Sequence, residues 1–327
     1  MNIHTKLINR IPWIVLLFAL LFGGCKNPSS KETNINIITA TAKPIVSFTF
    51  DDGITNGVAG FKFQEWNEMI LSHLRAENLK TVFFVTGENK QDQRGQFLLQ
   101  SWNDEGHKIA NHSYSHPFFN AKENTANLFE NQLLRTDKII SKFSNQVKLF
   151  RFPYLKEGQN KTKVDSIRNI LSKNKYKNGY VTIDASDWYV NQRLINRIKE
   201  KGFEKTEVEN FKDFYLQHII ERANYYEKLS YEINERHINH TVLLHHNLTS
   251  ALFLGDLIKK FKAEGWSVIN ADSAFQDEIF NAIPKPEYAG ESLIWSLAKQ
   301  SGKYDDSLRY PAEDSRYEKE KMNKLGL

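Results

Sequence analysis

From residue 44 onward, short apolar runs alternate with longer stretches in which apolar residues recur every three to four positions. Residues 45–50 predict a strand that stops abruptly at Asp51-Asp52-Gly53. Phe63, Trp66, Ile70, Leu71 and Leu74 put one apolar stripe on a helix over residues 61–77. Residues 81–85 are β-branched and aromatic, hence a strand, which Gly87 ends. Further helices are expected over 96–105, 124–143, 164–173 and 251–264, and further strands over 149–152, 180–183, 241–244 and 266–269. Residues 208–236 predict a long amphipathic helix or a helix pair, with Phe211, Phe214, Ile219 and Tyr226 among its apolar positions. Strands alternating with helices predict a parallel sheet, either open or closed into a barrel. The tail after residue 280 is polar, carries Pro284, Pro286 and Pro311, and is expected to wrap the surface.

The strand ends carry the candidate chemistry. Asp51 and Asp52 follow the first, Arg151 ends another, Asp184 and Asp187 follow a third, and His245-His246 follow a fourth. In parallel α/β folds, ligands sit at the carboxyl ends of the strands. Groups far apart in the chain would therefore converge on one pocket. Any one of them alone could be a cap or turn residue; four strand ends carrying acid, base and imidazole point to chemistry.

His112 and His116, four apart, would lie on one face of a helix and could reach one ion. Alone, such a pair is more often two unrelated surface residues. A carboxylate from Asp51 or Asp52 would complete the two-His, one-acid set of many catalytic zinc sites. Neighbouring side chains diverge in an extended chain, so one aspartate could bind metal while the other serves as a base.

Five motifs stand in order: Thr49-Phe-Asp-Asp-Gly53; His112-Ser-Tyr-Ser-His116 preceded by Gly106-His-Lys-Ile-Ala-Asn111; Arg151-Phe-Pro-Tyr154; Asp184-Ala-Ser-Asp-Trp188; and Leu243-Leu-His245. Together they resemble the polysaccharide deacetylases of the NodB-homology type, carbohydrate esterase family 4, over roughly residues 44–272. The resemblance implies a distorted (β/α) barrel with fewer than eight strands. It implies Asp52, His112 and His116 as ligands of one divalent metal, zinc first, with cobalt, nickel or manganese as alternatives. Asp51 would be the general base, fixed and ionised by Arg151, and the backbone N–H of Tyr154 an oxyanion contact. His245 would protonate the departing amine, oriented by Asp187, and Trp188 would wall the groove beside Tyr154. Asp184 is as plausible as Asp187 on chemistry alone; Asp187 is preferred for its place beside Trp188. His245 is preferred over His246 because it completes the Leu-x-His pattern, and strand alternation would turn His246 to the other face. His73, His107, His218, His237 and His240 have no motif role.

The implied activity is hydrolysis of N-acetyl groups from a carbohydrate polymer or oligomer, such as peptidoglycan or another N-acetylglucosamine polymer. The rivals are an O-acetyl esterase acting on xylan-like polysaccharide and an inactive glycan-binding lipoprotein. The presence of all four metal-site and base residues weighs against the inactive form.

The amino terminus adds an address. Lys6 and Arg10 precede an apolar stretch that ends in Gly23-Gly24-Cys25. Cys25 is the only cysteine, so no internal disulfide can form, and its setting resembles a bacterial lipobox, with Phe22 in place of the usual leucine. The expected organisation is a lipoprotein signal over residues 1–24 and a flexible stalk over 25–43. The deacetylase domain would follow over 44–279, with a helical insertion at about 190–240, and a C-terminal extension over 280–327 would pack on it. An acylated Cys25 would place the protein on a membrane of the bacterial cell envelope. Loss of Lys6 and Arg10 takes the net charge of the 327-residue chain from +5 to about +3. No basic run of five residues appears, so nucleic acid is not an expected partner.

Overall fold

Elements that begin with buried strands and return through amphipathic helices can pair in parallel only by crossing over one face of the sheet. The computed structural model follows this rule and describes residues 43–309 and 315–327. The signal segment, Cys25 and all but the last residue of the stalk lie outside the described residues. The chain runs β1 (Ile45–Asp52), α1 (Phe63–Ala76), β2 (Val82–Val85), α2 (Gln93–Asp104), β3 (Lys108–Asn111), α3 (Ala126–Ile140) and β4 (Gln146–Phe150). It continues through α4 (Lys161–Lys173), β5 (Lys177–Asn178), α5 (Asp187–Lys201), α6 (Val208–Asn234), β6 (Asn239–His245), α7 (Leu248–Ala263), β7 (Ser267–Val268), α8 (Ala271–Ala274), α9 (Leu293–Ser301) and α10 (Arg316–Lys324).

The strands pair in the order β5-β4-β3-β2-β1-β6, with β7 against the start of β1, and every pairing is parallel. The segment after β5 joins the two edges: Lys177 and Asn178 pair with β4, and Ile183 bridges to Val242 of β6. The sheet therefore curls into the distorted barrel with fewer than eight strands that the motifs imply. Its core holds Phe48, Phe50, Phe83, Trp66 and Trp102, all essentially inaccessible to solvent. The apolar stripe of α1 faces this core as its spacing predicts, with Phe63, Trp66, Ile70, Leu71 and Leu74 buried.

Several elements differ from expectation. No strand forms over 180–183: that stretch makes a single bridge at Ile183, and the two-residue β5 lies before it at Lys177–Asn178. The reason lies in this segment's crossing from one sheet edge to the other, with Gly179 O accepting from the Arg151 side chain rather than from a strand. Strand β3 was not foreseen, because Lys-Ile-Ala-Asn carries too little apolar pattern. Residues 208–234 form one continuous helix, not a pair. The tail does more than wrap: Leu293, Ile294 and Ala298 of α9, and Met322 of α10, are buried. Among the described residues no helix is long and apolar enough to cross a membrane.

Gly179 shows how tightly the barrel is closed. A Cβ built there would lie 2.3 Å from Phe84 Cε1, and the Arg151 guanidinium rests on that same ring, 3.8 Å from its centroid. Gly179→Ala is expected to cost about 1–3 kcal/mol, as overpacking does, measured by urea unfolding.

Candidate active site

Register fixes the first contacts. Asp51 is the direct partner of His245 on the neighbouring strand, so both side chains leave the same face of the sheet. The backbone turns at Asp52 (φ 80°). This overturns the expectation of divergence in an extended chain: Asp51 Oδ2 and Asp52 Oδ1 each lie 3.7 Å from His112 Nε2. Asp52 Oδ1 is also 3.7 Å from His116 Nε2. One ligand atom from each of Asp52, His112 and His116 lies within 4.8 Å of the others, close enough to share an ion.

The two histidines do not lie on a helix, contrary to expectation. They come from the loop after β3, whose backbone reverses through positive φ at Ser113 (66°) and His116 (54°). Gln132 of α3 holds this loop, its Oε1 accepting from the N–H groups of Tyr114 and Ser115 at 2.9 and 2.7 Å. Asn111 Oδ1 adds a bond from Ser113 N–H at 3.0 Å. The donor chemistry fits a borderline divalent cation such as zinc. His112 Nδ1–H donates to Arg151 O at 2.9 Å, which leaves its Nε2 lone pair for the ion and supplies the outer hydrogen bond common to metal-binding histidines. Burial, followed by the charge of His112, drops His116 to about 4, so its imidazole is neutral and available as a ligand. Although burial opposes ionisation of Asp52, His245, His116, His112 and Lys90 together hold its carboxyl below the usual value.

Asp51 sits beside this set and is almost fully buried. Arg151 Nη1 donates to Asp51 Oδ1 at 2.6 Å and to Thr49 Oγ1 at 2.9 Å, while its Nε donates to Gly179 O at 2.9 Å. Across the cavity, His245 Nδ1–H donates to Asp187 Oδ1 at 2.6 Å. Asp187 Oδ2 accepts from His245 N–H at 2.9 Å and from Asn247 Nδ2 at 3.1 Å. The imidazole is thereby oriented with Nε2 free. Burial opposes its charge, but Asp187, by charge and hydrogen bond, together with Asp52 and Asp51, raises His245 to about 10.

The structure thus places Asp187, not Asp184, on His245. Asp184 lines the pocket wall, and burial raises it to about 6 against the opposing charge of Arg222. His246 points away into the core, its Nε2 2.9 Å from Asn67 Oδ1 and its ring 4.3 Å from that of Trp66. Tyr154 has φ 56° and packs its ring edge-on to His116, with centroids 4.6 Å apart. Trp188 is half-buried and lines the same cavity, so it is not a core indole. That cavity, of about 320 Å³, is bounded by Asp51, Asp52, His112, His116, Tyr154 and His245 among others.

Sequence reasoning missed Gln132, Asn247 and Lys90. Gln132 carried a signal: it is a polar residue on the buried face of α3, beside Phe129, Leu133 and Thr136. Lys90, buried near Asp52 and lowered to about 8 chiefly by that burial, carried none.

Comparison with known proteins bears on this site. Residues 39–179 match the family model described as polysaccharide deacetylase. A peptidoglycan-N-acetylglucosamine deacetylase of Bacillus cereus is 31% identical over 130 residues, which are 39% of this chain and 43% of that one. The peptidoglycan-N-acetylmuramic acid deacetylase PdaA of Bacillus subtilis is 30% identical over 106 residues, 32% of this chain and 36% of that one. The chain thus spans less than half the length of either relative. Among solved structures, a family 4 carbohydrate esterase from Streptomyces lividans in complex with acetate is 19% identical, with a TM-score of 0.46 over 69% of this chain and 93% of that chain. A CE4 family pseudoenzyme from Bacillus anthracis is 21% identical, with a TM-score of 0.49 over 71% of this chain and 65% of that one. Asp51, Asp52, His112, His116, Arg151 and Tyr154 all fall within the family match; Asp187, Trp188 and His245 lie beyond it and are brought in by the fold. Over residues 39–179, the stretch that the family model matches, these comparisons support a polysaccharide deacetylase of carbohydrate esterase family 4.

Proposed function

We propose that this protein hydrolyses N-acetyl groups of a carbohydrate containing N-acetylglucosamine, with peptidoglycan the first candidate, and releases acetate. One observation carries the reading. A single cavity gathers a two-His, one-Asp donor set, a carboxylate gripped by an arginine, and an imidazole gripped by a second carboxylate. The peptidoglycan deacetylases among its relatives support the substrate class.

Asp52, His112 and His116 would hold the cation, zinc first and cobalt, nickel or manganese otherwise; when bound, it supplies Lewis acidity that polarises the acetyl carbonyl and acidifies water. Asp51, kept in place by Arg151, takes a proton from the attacking water as the new C–O bond forms. Tyr154 N–H offers a hydrogen bond to the oxygen where charge develops. His245 Nε2–H delivers a proton to the amide nitrogen as the C–N bond breaks, so the products are acetate and a free amine. Trp188 presents an aromatic face to a sugar ring. Acylation at Cys25 would hold the enzyme on a membrane of the bacterial envelope, close to peptidoglycan.

The test is acetate release by the zinc-loaded protein from N-acetylglucosamine oligomers and from acetylxylan. Amide hydrolysis is expected, and cleavage of the ester alone would overturn it.

The role of His245 also fixes a pH dependence. Its folded pKa is raised, so the protonated form persists above the usual histidine range. A cation at Asp52 would cancel the share due to Asp51 and Asp52 and leave the share due to Asp187. Asp187→Asn is therefore expected to move the alkaline limb of kcat to lower pH, read from a pH–rate profile. By the same sign, in the metal-free protein the stabilisation that protonated His245 draws from Asp187, Asp52 and Asp51 is complete below about pH 6.5 and is lost as pH rises through about 10.

A further inference from the structure

Outside the catalytic cavity the molecule buries a second set of charges. Arg222 on α6 and Glu318 on α10 are both fully inaccessible to solvent, and His218 on α6 nearly so. Burying charges this deeply is unfavourable unless they are paired and hydrogen-bonded. Arg222 Nη2 lies 3.4 Å from Glu318 Oε1. His218 Nε2 lies 3.0 Å from the same oxygen and 2.8 Å from Ala185 O. Phe214 stacks on His218 with ring planes 4° apart and fixes the plane of the imidazole.

Ala185 is the point of contact with the active site. It stands between Asp184, in the pocket wall, and Asp187, which holds His245. This loop passes through a left-handed residue, Ser186 (φ 49°), a conformation that non-glycine residues keep only when their surroundings hold them there. The hold comes from behind, through His218 on Ala185 O and the charge of Arg222 facing Asp184. Helix α10 is itself tied to the helix that Asp187 begins. Arg193 of α5 donates to Asn323 Oδ1 at 2.8 Å and to Leu327 O, and Arg197 donates to Gly326 O at 2.7 Å. Lys321 on α10 pairs with Glu221 on α6 at 2.7 Å.

We propose that Glu318 of α10, acting through His218 and Arg222, is a positioning residue that holds the Asp184–Asp187 loop and so aims the Asp187–His245 pair at the departing amine. All three lie outside the residues that match the family model. The inference rests on the deacetylase reading, within which it assigns the C-terminal helix to one step, protonation of the leaving group.

That assignment can be tested because an activated ester needs no such protonation. Glu318→Ala is expected to lower hydrolysis of N-acetylglucosamine oligomers about tenfold or more in kcat with KM little changed, since displacement of a catalytic group by ~1 Å costs up to about 100-fold. Hydrolysis of 4-nitrophenyl acetate by the same zinc-loaded protein should be unaffected. The downfield proton resonance of His245 Nδ1–H, bonded to Asp187, should shift or broaden. His218→Phe, which keeps the stack on Phe214 and the Arg222–Glu318 pair, should give the same selective loss and serves if Glu318→Ala does not fold. Equal loss with both substrates, or an unmoved Nδ1–H resonance, would overturn the proposal. A parent protein that releases no acetate from the oligomers would instead refute the deacetylase reading, while the resonance would still decide whether Glu318 positions His245.

Discussion

Asp51→Asn should reduce acetate release by about 10²–10⁴-fold, the range that a positioned general base contributes, while zinc binding is retained. The substitution keeps the shape of the side chain and an oxygen to accept from Arg151 Nη1, now 2.6 Å from Asp51 Oδ1. It removes the ability to take a proton. It also leaves Arg151, fully buried, without the counter-charge it now has, so some loss of stability is expected. Melting curves and metal content measured beside activity separate the two effects. Arg151→Met probes the same pair from the other side: Asp51 would keep its charge but lose its anchor. Undiminished acetate release by Asp51→Asn would remove Asp51 from the role of base.

The second large effect concerns the cation. His112→Ala should weaken zinc binding by more than about 100-fold, because even the outer partners of metal ligands are worth about 10–100-fold. Two things are lost together: Nε2 as a donor toward the ion, and the bond from Nδ1–H to Arg151 O that sets the ring. Gln132→Ala should fall in the lower range, since it frees the loop that carries His112 and His116 without touching the ligand atoms. Titration calorimetry with zinc, on protein first stripped by chelator, reads both. Equal affinity in parent and His112→Ala would place the ion elsewhere.

How far the site could be read from the chain differs from residue to residue. Asp51, Asp52, Arg151 and His245 end strands or follow them, and an apolar run halted by an acid or an imidazole is a local pattern. His112 and His116 were found by spacing, but the helical geometry inferred from that spacing was wrong. Their loop owes its shape to hydrogen bonds that its backbone N–H groups donate to Gln132 Oε1, sixteen or more positions further on. Asp184 and Asp187 are both aspartates just past the same predicted strand, so in the sequence only the place beside Trp188 favours Asp187. The left-handed turn at Ser186 and the approach of His245 choose between them.

The alternation of strands and helices, the chemical groups at the strand ends, and their order are legible in the chain, because periodicity and termination depend on residues a few positions apart. Tertiary structure alone decided that both neighbouring aspartates face His112, that Asp187 takes His245, and that a tail of polar character buries Glu318 behind the active-site loop. Those outcomes depend on the curvature of the sheet and on backbone turns stabilised by partners tens to hundreds of residues away, and no local pattern carries that information.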